Sequence, residues 1–143
     1  MHRVALLQVA TPDTCFLFRL NRMGVPPCVV QLMESNRVVK VGLSLKDDFM
    51  QLTRGASMHP ASFVDLQDEV KMLGVQDMSL QKIYANLFGK KISKRQQLTN
   101  WEADVLTKAQ QVYAATDAWT CLNIHKEISK LLATNNFVVR TDI

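Results

Sequence analysis

The sequence predicts an α/β or α+β domain, with helices packed on a mixed sheet. Short β-prone runs fill the first half of the chain, and helix-spaced apolar residues fill the second. Between Val38 and Leu66 the chain reads strand, helix, strand, which requires a crossover. The 143 residues suit one domain; 48% are hydrophobic and 21% charged, so a core needs no disulfide or metal. That apolar share excludes general disorder. Five Gly and four Pro exclude collagen-like and low-complexity chains.

Val4–Val9 and Cys15–Leu20 read as two strands. The turn residues Thr11, Pro12, Asp13 and Thr14 join them into an antiparallel hairpin. Pro26 and Pro27 break the chain, and Cys28, Val29, Val30, Leu32 and Met33 suit a short helix ending near Ser35. Val38–Leu45 is strongly β-prone. Phe49, Met50 and Leu52 follow on a helix expected to stop before Gly55, and Ser62–Leu66 is a short strand. Leu80, Ile83, Tyr84 and Leu87 stand at i, i+3, i+4 and i+7, one face of a helix that Ser79 caps and Gly89 ends. Thr107 and Gln110 have the spacing of a capping box, opening a long helix to about Leu132 with no Gly or Pro inside it. Thr99 and Glu102 share that spacing and predict a short helix just before it.

No stretch reaches the ~20 apolar residues of a membrane span, and the N-terminus lacks the pattern of a secretory signal. A cytoplasmic protein without membrane contact is expected. Cys15, Cys28 and Cys121 are odd in number and widely spaced, so three reduced, mostly buried thiols are expected. His2, His59 and His125 are scattered and read as structural or surface residues. The net charge of +4 permits a polyanion partner without requiring one. Lys90, Lys91, Lys94 and Arg95 form the densest charge run; on charge alone it is a solvated loop.

Two acidic positions stand out. Tyr113 and Asp117 lie one helical turn apart on one face, with small Ala114, Ala115 and Ala118 around them. By itself such a pair is more often a hydrogen-bonded surface pair. Lys46-Asp47-Asp48 closes the Val38–Leu45 strand, at the carboxyl end where open α/β sheets collect ligands. One of its two Asp residues could equally serve as a helix cap.

Together with their surroundings these residues resemble a known family. Lys40-Val41-Gly42-Leu43-Ser44-Leu45-Lys46-Asp47-Asp48 is similar to the second motif of the DEDD 3′–5′ exonucleases. Asn100-Trp101-Glu102, Leu106-Thr107, Gln110 and Tyr113-Ala114-Ala115-Thr116-Asp117-Ala118-Trp119 are similar to the third motif in its Tyr-containing form, as in the ribonuclease D and Werner-syndrome exonuclease branch. Val4–Gln8 resembles the strand after the first motif, and Asp77–Leu80 also fits the branch. The resemblance implies a ribonuclease H-like mixed sheet flanked by helices. It also implies hydrolysis of nucleic acid from a single-stranded or recessed 3′ end, with two Mg²⁺ or Mn²⁺ ions held by four carboxylates. Asp48 and Asp117 are then catalytic metal ligands, Asp47 the less favoured one, and Tyr113 orients the attacking water. Lys90, Lys91, Lys94 and Arg95 become contacts to the phosphate backbone. Trp101 and Trp119 sit in apolar patterns and are expected in the core rather than stacked on bases. The Werner-type likeness favours DNA over RNA.

The family's first motif is a D-x-E pair on the first strand, and no Asp here has Glu two residues later. The expectation is a single exonuclease domain over residues 1–143, incomplete at the N-terminus and lacking its first, central strand. Two carboxylates do not readily hold two metals about 3.5–4 Å apart, so little or no activity is expected of this chain alone. The vacant strand position could be filled by the β-prone tail 136–140, by strand exchange with a second chain in a homo-oligomer, or left as an aggregation-prone edge. The alternative function is a non-catalytic remnant that binds nucleic acid or a partner protein. An in-frame D-x-E upstream of Met1 in the gene would separate the two.

Overall fold

The computed structural model describes residues 4–76, 79–93 and 95–137. β1 (Leu7–Ala10) and β2 (Cys15–Phe18) form the expected antiparallel hairpin, with Leu7 opposite Phe18 and Ala10 opposite Cys15. In its turn, the Thr11 N–H donates to the Thr14 carbonyl at 2.8 Å and Thr11 Oγ1 donates to Asp13 Oδ1 at 3.1 Å. The strands are narrower than the apolar runs, because Leu20 opens a one-turn helix, α1 (Leu20–Met23), which Gly24 ends at φ 67°. In α2 (Pro27–Glu34), Pro27 takes the first helical position, where its missing N–H is unneeded. The proline pair therefore starts this helix as well as breaking the chain before it.

β3 (Lys40–Gly42) is much shorter than the predicted Val38–Leu45 strand. Ser44 adopts a left-handed conformation at φ 56°, and Leu45 already belongs to α3 (Leu45–Gly55), which includes Gly55 rather than stopping before it. Val38 and Val39 are exposed and unpaired with β4. β4 (Phe63–Asp65) runs parallel to β3, with Val41 opposite Val64. Leu66, predicted to end that strand, instead opens α4 (Leu66–Met72). α5 (Leu80–Phe88) has the predicted Ser79 cap and left-handed Gly89. α6 (Lys108–Thr134) has the full capping box and extends past Leu132 to a left-handed Asn135. Residues 99–102 make turns, not the short helix predicted. Thr99 Oγ1 donates to the Gln96 carbonyl at 2.7 Å, and Asn100 Oδ1 accepts from the Glu102 N–H at 3.0 Å, so side chains replace the helical ladder.

The described strands lie in the first half and the longest helix in the second, with the predicted crossover between β3 and β4; the strands form two separate pairs, β1–β2 antiparallel and β3–β4 parallel. α6 packs against β1, β2 and β3, so one helix underlies both pairs. One core joins Leu66, Val70 and Leu73 to Leu80, Ile83, Ile124 and Ile128, with Val41 and Leu43 against it. The other joins Leu20, Val29, Met33, Phe49, Leu52 and Met58, with Leu7, Phe18 and Leu45 against it. His125 Nδ1 meets Glu69 Oε1 at 2.6 Å and ties α6 to α4.

Three expectations need adjusting. Cys28 is exposed, so the free thiols are not uniformly interior. Trp119 is 45% exposed and does not belong to the core. Of the tail 136–140, Phe137 packs against the first core, and residues 138–140 lie outside the described residues. Among the described residues no helix is long and apolar enough to cross a membrane.

Candidate active site

The approach to α6 is held from two sides. Gln110 is buried; its Nε2 donates to Thr99 Oγ1 at 3.0 Å and to the Asn100 carbonyl at 3.1 Å. Arg19, between β2 and α1, donates to the carbonyls of Trp101, Ala103 and Asp104, and Arg22 pairs with the Asp104 carboxylate. These ties set the Trp101 ring beside Tyr113, with centroids 6.1 Å apart and planes tilted by 36°. Tyr113 thus reaches its place from a clamped loop as well as from its own helix.

One turn on, Asp117 is partly buried, and its Oδ1 is fully buried without a hydrogen-bond partner. Burial pushes its carboxyl up to about 6. The Tyr113 phenol is also raised, first by burial and then by the Asp117 charge. The spacing that predicted a facing pair is therefore realised electrostatically.

Asp48 lies in the first turn of α3 and is open to solvent. Desolvation is thus partial, yet it leads in raising the Asp48 pKa, followed by the charges of Asp47 and Asp65. The Cys121 thiol, one turn beyond Asp117, is pushed up to about 12 by burial and then by Asp117, Asp48 and Asp65. The charges of all three carboxylates thus act on one thiol of α6. Sequence reasoning did not single out Asp65 or Cys121. Asp65 stood inside a predicted strand, with no local sign of its distant partners.

Asp48 and Asp117 offer only oxygen donors, and the orphaned Oδ1 suits a hard divalent cation. Their donor chemistry fits such an ion. Among the described residues no group of three His, Cys, Asp or Glu is arranged to hold a metal, so the site is not closed by these residues alone. Lys90, Lys91 and Arg95 are exposed beyond α5; Lys94 lies outside the described residues.

The profile of a 3′–5′ exonuclease family matches residues 1–133, nearly the whole chain. The chain belongs to the 3′–5′ exonuclease family. Its relatives include the bifunctional 3′–5′ exonuclease/ATP-dependent helicase WRN of Mus musculus, 31% identical over 135 residues. The match covers 90% of this chain and 10% of that protein. The exonuclease 3′–5′ domain-containing protein 2 of Drosophila melanogaster is 32% identical over 144 residues, 98% of this chain and 25% of that one. The exonuclease domain therefore spans a quarter or less of these two relatives. Among solved structures, Brucella melitensis NrnC with bound Mg²⁺ superposes with a TM-score of 0.79 at 21% identity. It covers 93% of this chain and 66% of that one, and NrnC has also been solved bound to pGG. The shared fold is ribonuclease H-like.

Proposed function

We propose that this exonuclease domain acts on nucleic acid from a 3′ end, DNA rather than RNA, by two-metal-ion chemistry. Asp48 and Asp117 are two of the metal ligands. The observation that supports this best is the Asp117 carboxylate: its Oδ1 is buried and unpartnered, one turn from Tyr113. A buried carboxylate without a base beside it is stabilised by a cation. Asp48 and Asp117 would hold Mg²⁺ or Mn²⁺ there, and such an ion would activate a water for attack and offset charge on the leaving 3′ oxygen. Tyr113, its phenol held protonated by burial and by Asp117, orients the water through a hydrogen bond. Lys90, Lys91, Lys94 and Arg95 contact the phosphate backbone through charge alone. Mg²⁺ and pGG bound by NrnC agree with this ligand chemistry. The preference for DNA rests on the Werner-type likeness.

Two carboxylates are fewer than a two-metal site needs. The chain by itself is therefore proposed to have little or no activity. β1 and β3 each pair with one strand among the described residues, and a strand exchanged with a second copy would fit their open edges. The second reading, a non-catalytic binding domain, is favoured by the lack of a three-ligand cluster among the described residues.

The test is nucleotide release from a 5′-labelled DNA with a recessed 3′ end, in Mg²⁺ or Mn²⁺, together with Mn²⁺ binding. The expected result is Mn²⁺ binding that Asp48→Ala or Asp117→Ala weakens, with little nucleotide release. Release that Asp117→Ala abolishes would overturn the proposed inactivity. Mn²⁺ binding insensitive to both substitutions would overturn the metal assignment.

A further inference from the structure

We infer that Asp65 is the positioning residue for Asp48, an inference that rests on the proposed role of Asp48 as a metal ligand. Asp65 is the last residue of β4 and the N-cap of α4, where its Oδ1 accepts from the Gln67 N–H at 3.0 Å. The same carboxylate crosses to the start of α3, just past the end of β3. Oδ1 accepts from the Ser44 N–H at 3.2 Å and Oδ2 from the Leu45 N–H at 3.0 Å, 21 and 20 residues away in sequence.

These two donors stand at the start of α3. A helix leaves its first N–H groups without internal partners, and its own N-cap side chain normally meets one of them. Ser44 cannot, because it is left-handed and makes no side-chain cap. Neither Asp47 nor Asp48 caps the helix. Asp65 does so from outside, so one carboxylate caps two helices and joins their starts.

Asp48 lies in that first turn, and its N–H donates to the Ser44 carbonyl at 3.4 Å. The place of Asp48 is therefore set by a residue on β4 rather than by α3 alone. Second-layer groups of this kind orient ligands without touching the ion. Asp65 also raises the Asp48 carboxyl through its charge. A test must separate the bridge from the charge.

Three variants make that separation in the ¹⁵N-labelled chain. Asp65→Ser keeps a side-chain cap for α4 but is too short to reach Ser44 and Leu45. Asp65→Asn keeps one oxygen and loses the bond at Leu45. Asp47→Asn removes a neighbouring charge and leaves the bridge intact. Two readouts are followed: Mn²⁺-induced broadening at Asp48 and Asp117, and metal-free hydrogen exchange of the Asp48 amide.

Asp65→Ser is expected to weaken Mn²⁺ binding by about tenfold or more. It should speed exchange at Asp48 while leaving Val70 in α4 unchanged. Asp65→Asn should fall between Asp65→Ser and the natural chain on both readouts, and Asp47→Asn should leave Asp48 exchange unchanged. Exchange at Asp48 within twofold of the natural chain in both Asp65 variants would overturn the inference. So would equal losses of Mn²⁺ binding in Asp47→Asn and Asp65→Ser. If the natural chain binds no Mn²⁺ at Asp48 or Asp117, the proposed function fails, and exchange at Asp48 alone decides the positioning role. If Asp65→Ser does not fold, Asp65→Asn carries both readouts.

Discussion

Thr107 and Gln110 bind each other twice at the start of α6. The Gln110 N–H donates to Thr107 Oγ1 at 3.1 Å, and the Thr107 N–H donates to Gln110 Oε1 at 2.9 Å. The Gln110 amide nitrogen simultaneously holds Thr99 and Asn100. One buried side chain thus serves both the cap and the loop that carries Trp101 to Tyr113.

Gln110→Ala is therefore expected to destabilise the fold more than Thr107→Ala. Loss of the cap alone at Thr107 removes about 1 kcal/mol. Gln110→Ala also leaves polar groups of the loop unpaired, for a total of about 2–3 kcal/mol. Urea unfolding of both variants measures this, and equal losses would contradict it. Tryptophan emission should shift in Gln110→Ala, because the loop that carries Trp101 loses its bonds to Gln110 at Thr99 and Asn100.

How much of this was legible in the sequence follows from how local each signal is. The capping box joins residues three apart on one helix, so spacing alone revealed it; the Tyr113–Asp117 spacing was equally legible, but it took its role only from the family resemblance. The Val38–Leu45 strand was overdrawn, because β-propensity does not register the left-handed turn at Ser44. The helix at Thr99–Glu102 was read from a capping pattern, but the Thr99 hydroxyl bonds to the Gln96 carbonyl and the Glu102 N–H bonds to the Asn100 side chain instead. Asp65 was hidden for the opposite reason: its bonds at α3 span 20 and 21 residues, a distance that no local pattern encodes.

The turn from β3 into α3 depends on Gly42. A Cβ at that position would stand 3.0 Å from Leu45 Cγ, with Cδ2 closer still. Gly42→Ala should destabilise the protein by about 1–3 kcal/mol through overpacking. Leu45→Ala, harmful alone because Leu45 packs on the second core, should recover part of that loss in the double variant. Thermal unfolding of the two single variants and the double variant checks it; strictly additive losses would show that the contact is not the cause.

The basic run supplies a salt test that needs no catalysis. If Lys90, Lys91 and Arg95 each neutralise a phosphate, replacing all three with Gln should lower the slope of log affinity against log salt by about 2 for single-stranded DNA. Their exposure makes the substitution harmless to the fold. Fluorescence anisotropy over a salt series measures the slope, and an unchanged slope would place the nucleic acid elsewhere.

Asp117 gives stability a distinctive pH dependence. Its carboxyl is raised from 3.8 to about 6 by burial, so the folded protein holds this proton where the unfolded chain has lost it. Below the unfolded value both states are protonated, and Asp117 imposes no penalty. As pH rises toward 6 the folded state must ionise a poorly solvated group, and stability falls; above that value the penalty is complete. Asp117→Asn removes the ionisation, so it should gain on the natural chain as pH rises from 3.5 to 7.5. The relative gain should be about 1 kcal/mol, less than the full shift implies, because solvent still screens a partly exposed carboxylate. Saturating Mn²⁺ at pH 7.5 should reverse the order, since a cation relieves the penalty in Asp117 and finds no charge in the variant. Urea unfolding at several pH values, with and without Mn²⁺, measures both effects. A difference between the two proteins that stays flat with pH would contradict the raised carboxyl, and a Mn²⁺ response shared equally by both would contradict its role as a ligand.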